Sequence, residues 1–275
     1  VYLGAAGSGY ILPVQRLEGY NTSDLNWGTS FGVPVTVSFW FRGNVGGTYC
    51  SAVRCPDQPQ VYNTNFSIQA NTWTYVTYTV PPPPNGTTIF TGSSKGIELF
   101  IGNYNNWTVI PPVNTWQANY YQLAPQTANW WTQAGNYIEF TGVQLEKGTV
   151  ATPFEVRPYA TELALCQRYY QKTYNIGTPP GTNVSGVGAI VVTAPNSVIV
   201  PGAQFRTTMR AAPTIVTYNP YSTTSGVIGI YSSGGDTGAA AADAGTIGDS
   251  GFRYIAVTVT SGVIYQYHYT ANAEL

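Results

Sequence analysis

Nine residues, PVTVSFWFR at 34–42, constrain this chain more than any other stretch. Successive side chains of a strand point to opposite faces, so Val35, Val37, Phe39 and Phe41 share one side and Thr36, Ser38, Trp40 and Arg42 the other. The stretch reads as a core strand carrying one aromatic residue on its second face. The same alternation recurs in TWTYVTYTV (72–80), GIELFIG (96–102) and NYIEFTGVQLE (136–146). Ile97, Leu99 and Ile101, then Ile138 and Phe140, are the inward candidates. Gly142 interrupts the last run and signals a bulge or a close backbone approach.

Composition extends that reading to the whole chain. Thirty glycines, 19 prolines and 22 tyrosines in 275 residues describe many short strands joined by tight turns, so the expected class is all-β. Turn-rich segments such as PPPPNGTT (81–88) separate the strands, which points to a jelly-roll-like β-sandwich. Charged residues make up 8%, against about 25% in an average globular protein. With 11 basic and 12 acidic side chains there is no long-range field to draw in phosphate backbones or anionic lipid. Neither nucleic acid binding nor membrane insertion is expected, and no apolar stretch approaches the ~18 residues of a membrane span. The sequence reads as that of a soluble chain.

The pattern changes after Pro153 and Pro158. ATELALCQRYYQK (160–172) is rich in helix formers and lacks Gly and Pro, with Thr161 as a candidate cap. On such a helix Leu163, Cys166, Tyr169 and Tyr170 fall near one face, leaving Glu162, Arg168 and Lys172 for solvent or a partner chain. A helix this short is marginal alone and needs that face covered. Leu163, Cys166, Arg168, Tyr169 and Tyr170 are therefore the candidate contacts with a partner chain or between domains, the alternative being a plug for the chain's own sandwich. From 176 a second strand series follows, including FRYIAVTVT and GVIYQYHYT with TSG (260–262) as a hairpin turn. GGDTGAAAADAGTIGDSG (234–251) is expected to be a surface loop. The organisation predicted is a sandwich over 1–157, a connector with a short helix over 158–175, and a smaller β-domain over 176–275.

Few residues offer chemistry. His268 is the only histidine and lies in a strand-like run with no nucleophile motif, so a hydrolase triad is not expected. Three cysteines lack histidine partners at zinc spacing; Cys50 and Cys55 frame CSAVRC either as free thiols or as a small closed loop. Glycoside hydrolysis needs only two carboxylates, and Glu18, Asp24, Glu98, Glu139 and Glu146 are present, but none stands in a recognisable motif. Sugar binding needs less: aromatic rings to pack on C–H faces, and amides or hydroxyls to meet the hydroxyl edges. The segment 103–136 reads as a long loop and supplies Trp107, Trp116, Tyr120, Tyr121, Trp130 and Trp131 beside several asparagines. It is the first candidate platform, with Tyr218 and Tyr221 second.

TGVQLEKGTVATPFEVRPYATELALCQRYYQK (141–172) resembles the signature of a group of bacteriophage tail-fibre and receptor-binding proteins. The resemblance rests on Gly142, Gln144, Leu145, Glu146, Gly148, Ala151, Thr152, Pro153, Phe154 and Glu155, then Tyr159, Glu162, Leu163, Cys166, Gln167, Arg168, Tyr169 and Tyr170. Upstream, QRLEGYNTSDLNWGTSFGVPVTVSFWFRGNVGGTY is similar to the opening of the same module, and HYTANAEL is similar to the group's terminus. The resemblance implies a carbohydrate-binding-module-like sandwich, a short helix and a C-terminal β-domain, with 176–275 as the candidate receptor-binding tip. It also implies a homotrimeric virion tail-fibre component, made in the host cytoplasm, that meets host-surface glycan and other virion tail proteins without being an enzyme. No cofactor is expected. Similar modules hold a structural calcium, for which Glu18 and Glu146 are the oxygen donors to consider. The alternatives are a virion decoration or fibre connector, and a polysaccharide depolymerase.

Overall fold

A computed structural model describes residues 1, 10–58, 60–105, 112–118, 125–194, 199–232, 235–241, 243–256 and 260–275. The chain forms two compact units, Val1–Val156 with Leu275, and Arg157–Glu274. The protein is all-β apart from one α-helix and three single-turn 3₁₀ segments among the described residues.

The first unit contains β1 (Tyr10–Ile11), β2 (Val14–Glu18), β3 (Val35–Gly43), β4 (Gly47–Cys55), β5 (Gln60–Ile68), β6 (Thr74–Val80), β7 (Lys95–Asn105), β8 (Trp116–Gln117) and β9 (Ile138–Lys147). They make an antiparallel sheet in the order β1-β7-β4-β5-β8, with β2 also on β7, and a three-stranded sheet β6-β3-β9. Val35, Val37, Phe39 and Phe41 on central β3 are wholly buried, as the alternation requires. They meet residues of the larger sheet: Phe39 packs edge-on against Phe66 at 5.4 Å, and Phe41 against Tyr49 and Phe66 at 5.0 Å each. Such pairs add about 0.5–1.5 kcal/mol each beyond the area they bury. Ile97, Leu99, Ile101 and Ile138 complete this core. Phe140 does not: β9 is an edge strand, and at that edge the ring stays 36% exposed. Gly142 sits at φ +60 where the β3–β9 register slips by one residue, so the interruption is a bulge.

Cys50 and Cys55 are free, buried thiols on the same strand. Five residue steps along an extended strand separate them by roughly 16 Å, far beyond the ~7 Å limit for a disulfide, so no closed loop forms. Burial pushes the Cys55 thiol well above its ordinary range.

The second unit begins with α1 (Tyr159–Gln167), followed by β10 (Tyr170–Lys172), β11 (Ile190–Thr193), β12 (Ile199–Gln204), β13 (Thr214–Tyr218), β14 (Val227–Ser232), β15 (Gly235–Ala241), β16 (Asp243–Ile247), β17 (Gly251–Ala256) and β18 (Ile264–Asn272). One sheet runs β10-β18-β14-β15, with β11 and β13 also on β18, and the other runs β12-β17-β16. The core collects Tyr265, Tyr267, Tyr269 and Ala271 from one face of β18, with Ile228, Val200, Phe252 and Ile255. The expected loop over 234–251 is instead two strands, β15 on β14 and β16 on β17. Glycine and alanine carry little strand propensity, so local sequence reads as loop, but ladder hydrogen bonds to a paired strand outweigh that preference.

The helix also departs from expectation. None of its residues is fully buried within the chain: Leu163 is half-buried, and Leu165 and Cys166 are exposed. Beyond it, Tyr170 pairs with Asn272, and the carbonyls of Arg168 and Tyr169 accept from the N–H groups of Arg210 and Ala273. Residues 168–172 are thus structural parts of the second unit.

Candidate functional site

The aromatic residues singled out in the sequence occupy unlike settings. Trp107, Tyr120 and Tyr121 lie outside the described residues. Trp116 is half-buried, edge-on to Trp27 at 5.6 Å, and its indole N–H donates to the Pro81 carbonyl at 2.9 Å. Trp130 has no exposed surface and meets half-buried Trp131 edge-on at 5.8 Å. A ring without exposed surface has no face to lend a sugar, so Trp130 is a core element of the first unit. In the second unit Tyr218 is half-buried, edge-on to Tyr174 at 5.9 Å. Tyr221 is half-buried, its N–H held by Asn219 Oδ1 and its carbonyl by the Asn183 amide.

The acidic residues are mostly occupied. Glu98 is buried and faces Arg16, Arg54 and Lys95, the two arginines lying beside it in one row across β2, β7 and β4. Asp24 pairs with Lys147. The Glu146 carboxylate accepts from the Gln144 amide and the Thr152 N–H, contacts that hold its pKa below the usual carboxylate range despite opposing desolvation. A carboxyl held ionised is poorly suited to act as a general acid. Among the described residues no group of three or more His, Cys, Asp or Glu side chains is placed to hold a metal ion.

Exposed aromatic surface gathers elsewhere, on the outward face of the β6-β3-β9 sheet. The register fixes this face as rows of three. Thr79, Thr36 and Glu146 form the first row, Thr77, Ser38 and Gln144 the second, and Tyr75, Trp40 and Thr141 the third; Arg42 and Glu139 follow, with Trp73 entering β6 beside them. In an antiparallel pair directly opposed residues share a face, which is why these side chains stand together. Trp40 and Tyr75 are each 45% exposed with ring centroids 5.3 Å apart, and Trp73 is 40% exposed. The Arg42 guanidinium lies 4.9 Å above the Trp73 ring and is ion-paired to Glu139.

The two halves of the face differ in what covers them. Residues 148–156 leave β9 and fold back over the polar rows. Thr36 and Thr79 hydroxyls donate to the carbonyls of Gly148 and Thr149, the Gln144 amide reaches Thr152, and Gln144 Oε1 accepts from the Glu155 N–H. The strap ends where a side chain on Gly142 would touch both Trp40 and Phe154. The aromatic rows stay open. At their far end the Tyr137 hydroxyl donates to Asn71 Oδ1, adding exposed polar groups. Sequence reasoning placed Trp40 and Arg42 on the second face and counted Glu139 only among possible hydrolytic acids, but passed over Trp73 and Tyr75. The alternation within TWTYVTYTV already put Trp73 and Tyr75 on one side; only the strand pairing joins that side to Trp40.

No family model matches the chain, and no curated protein matches it. Among solved structures it is similar to the PBSX exported protein XepA, at 12% identity and TM-score 0.24 over 97% of this chain and 83% of that one. It is also similar to discoidin II of Dictyostelium discoideum in two structures. One is at 12% identity and TM-score 0.19 over 87% of this chain and 73% of that one, the other at 11% and 0.19 over 97% and 98%. At such scores these likenesses carry no argument, and the site stands on its own geometry.

Proposed function

We propose that this chain is a virion tail-fibre component that recognises the host surface by non-catalytic glycan binding, through the open half of the β6-β3-β9 face. The observation that carries the reading is the exposed row of Tyr75 and Trp40 beside Trp73 and the Arg42–Glu139 pair. Solvent-exposed rings offer apolar faces for sugar C–H groups, while a neighbouring ion pair and hydroxyls meet sugar oxygens. The virion context rests on the resemblance of residues 141–172 to tail-fibre proteins. In the same reading the chain is a homotrimer, and helix α1 is its contact surface, since Tyr159 and Leu165 are 67% and 44% exposed.

The test is retention on a panel of immobilised glycans. Wild-type chain is expected to bind, and Trp40→Ala with Tyr75→Ala to weaken binding by tenfold or more, about 1.4 kcal/mol. Retention of no glycan by the wild-type chain would instead favour a fibre connector. New reducing ends after incubation with host capsule would favour a depolymerase.

A further inference from the structure

Given glycan binding at this face, we infer that its ligand is a neutral pyranose chain, and that the Arg42–Glu139 pair reads two hydroxyls of one ring while Trp40 and Tyr75 stack on the next. The inference rests on that reading and comes from how the pair is made. Arg42 Nε and Nη2 both donate to the same carboxylate oxygen, Glu139 Oε2, at 2.8 and 2.5 Å. Oε1 of Glu139 and Nη1 of Arg42 have no partner among the described residues. The pair remains accessible, its side chains 33% and 44% exposed. It thus presents one acceptor, on the carboxylate, and one donor, on the guanidinium edge turned away from Glu139.

A hydroxyl both donates and accepts, so two hydroxyls of one ring, one at each end of the pair, complement such a couple. A sugar carboxylate does not: it only accepts, and it would meet Glu139 as a like charge. Arg42 supplies no net attraction because its charge is already neutralised within the row, and Glu146, the other charged member of the face, is acidic and tied to the strap. Adjacent rows lie two residues apart along the strands, roughly 6.8 Å. A sugar over the Trp40–Tyr75 pair therefore has its neighbour over Trp73, Arg42 and Glu139. The polar rows beyond Trp40 add no subsite, since residues 148–156 cover them, so the chain extends toward Tyr137 and Asn71.

The experiment compares the full chain on immobilised neutral pyranose homopolymers and on uronate-containing polymers. Wild type is expected on the neutral set. Glu139→Gln keeps the shape but leaves Arg42 uncompensated, so neutral binding should fall roughly fivefold to tenfold while uronate polymers gain, the gain shrinking as salt rises. Because the pair is exposed, its loss should leave the thermal midpoint nearly unchanged, which separates recognition from folding. A wild-type preference for uronate polymers, or a Glu139→Gln profile identical to wild type, overturns the inference while glycan binding stands. A wild-type chain retained by neither set overturns glycan binding and the inference with it.

Discussion

His268 is fully buried, its ring stacked on Tyr174 at 3.9 Å. The Tyr269 N–H donates to Thr173 Oγ1, which stands 2.8 Å from Nδ1, while Nε2 is buried without a hydrogen-bond partner. A proton there would create a desolvated charge that nothing answers, and burial lowers the histidine from its ordinary 6.5 to about 4. The sign follows from proton uptake. Between those values the unfolded chain binds a proton that the folded chain does not, so stability is full above about pH 6.5 and declines as pH falls toward 4. The difference amounts to about 3 kcal/mol. Denaturant titrations of wild type at pH 7 and pH 4.5 should show most of this loss, and His268→Gln should flatten it. An equal decline in the variant would place the acid sensitivity on other groups.

At the level of elements, the far half of the strap over 148–156 depends on two side chains of β9. Gln144 accepts the Glu155 N–H and donates to Thr152, whereas Glu146 accepts the Thr152 N–H. Gln144→Ala should therefore release the Glu155 amide to fast hydrogen exchange while Thr152 keeps protection through Glu146, at a stability loss of about 1 kcal/mol. Equal exchange at both amides in wild type and variant would mean the strap is held otherwise. This region also marks where local pattern stops informing. Period-two alternation exposes the faces of β3 because that strand is central and its core side is wholly buried. Phe140 misleads because the same alternation on an edge strand does not guarantee cover. The candidate site is composite: Trp40 comes from β3, Tyr75 from β6 and Glu139 from β9, and a register set by long-range pairing is not written in any one segment. The strands in 234–251 are hidden for the related reason that their stability comes from partners.

For the whole molecule, the two units are distinguished by separate buried clusters. Leu25 through Ile138 build one, and Ala194 through Ala273 the other. A unit with its own core folds as its own cooperative block. The open aromatic face lies entirely within Val1–Val156, whereas α1, the proposed trimer contact, lies in Arg157–Glu274. On the proposed reading, cutting the chain at residue 156 therefore separates recognition from assembly. The fragment 1–156 should unfold in a single cooperative transition, sediment as a monomer, and hold an isolated oligosaccharide as tightly as the full chain does per site. The full chain should have the solution mass of three chains and should outbind the fragment on densely coated glycan surfaces by 10²-fold or more, because linked sites convert later contacts into intramolecular ones. Sedimentation and surface-density titrations read both quantities. A monomeric full chain would remove the trimer from the proposal, and a folded fragment that binds nothing while 157–275 binds would move recognition to the second unit, where Tyr218 and Tyr221 become the residues to mutate.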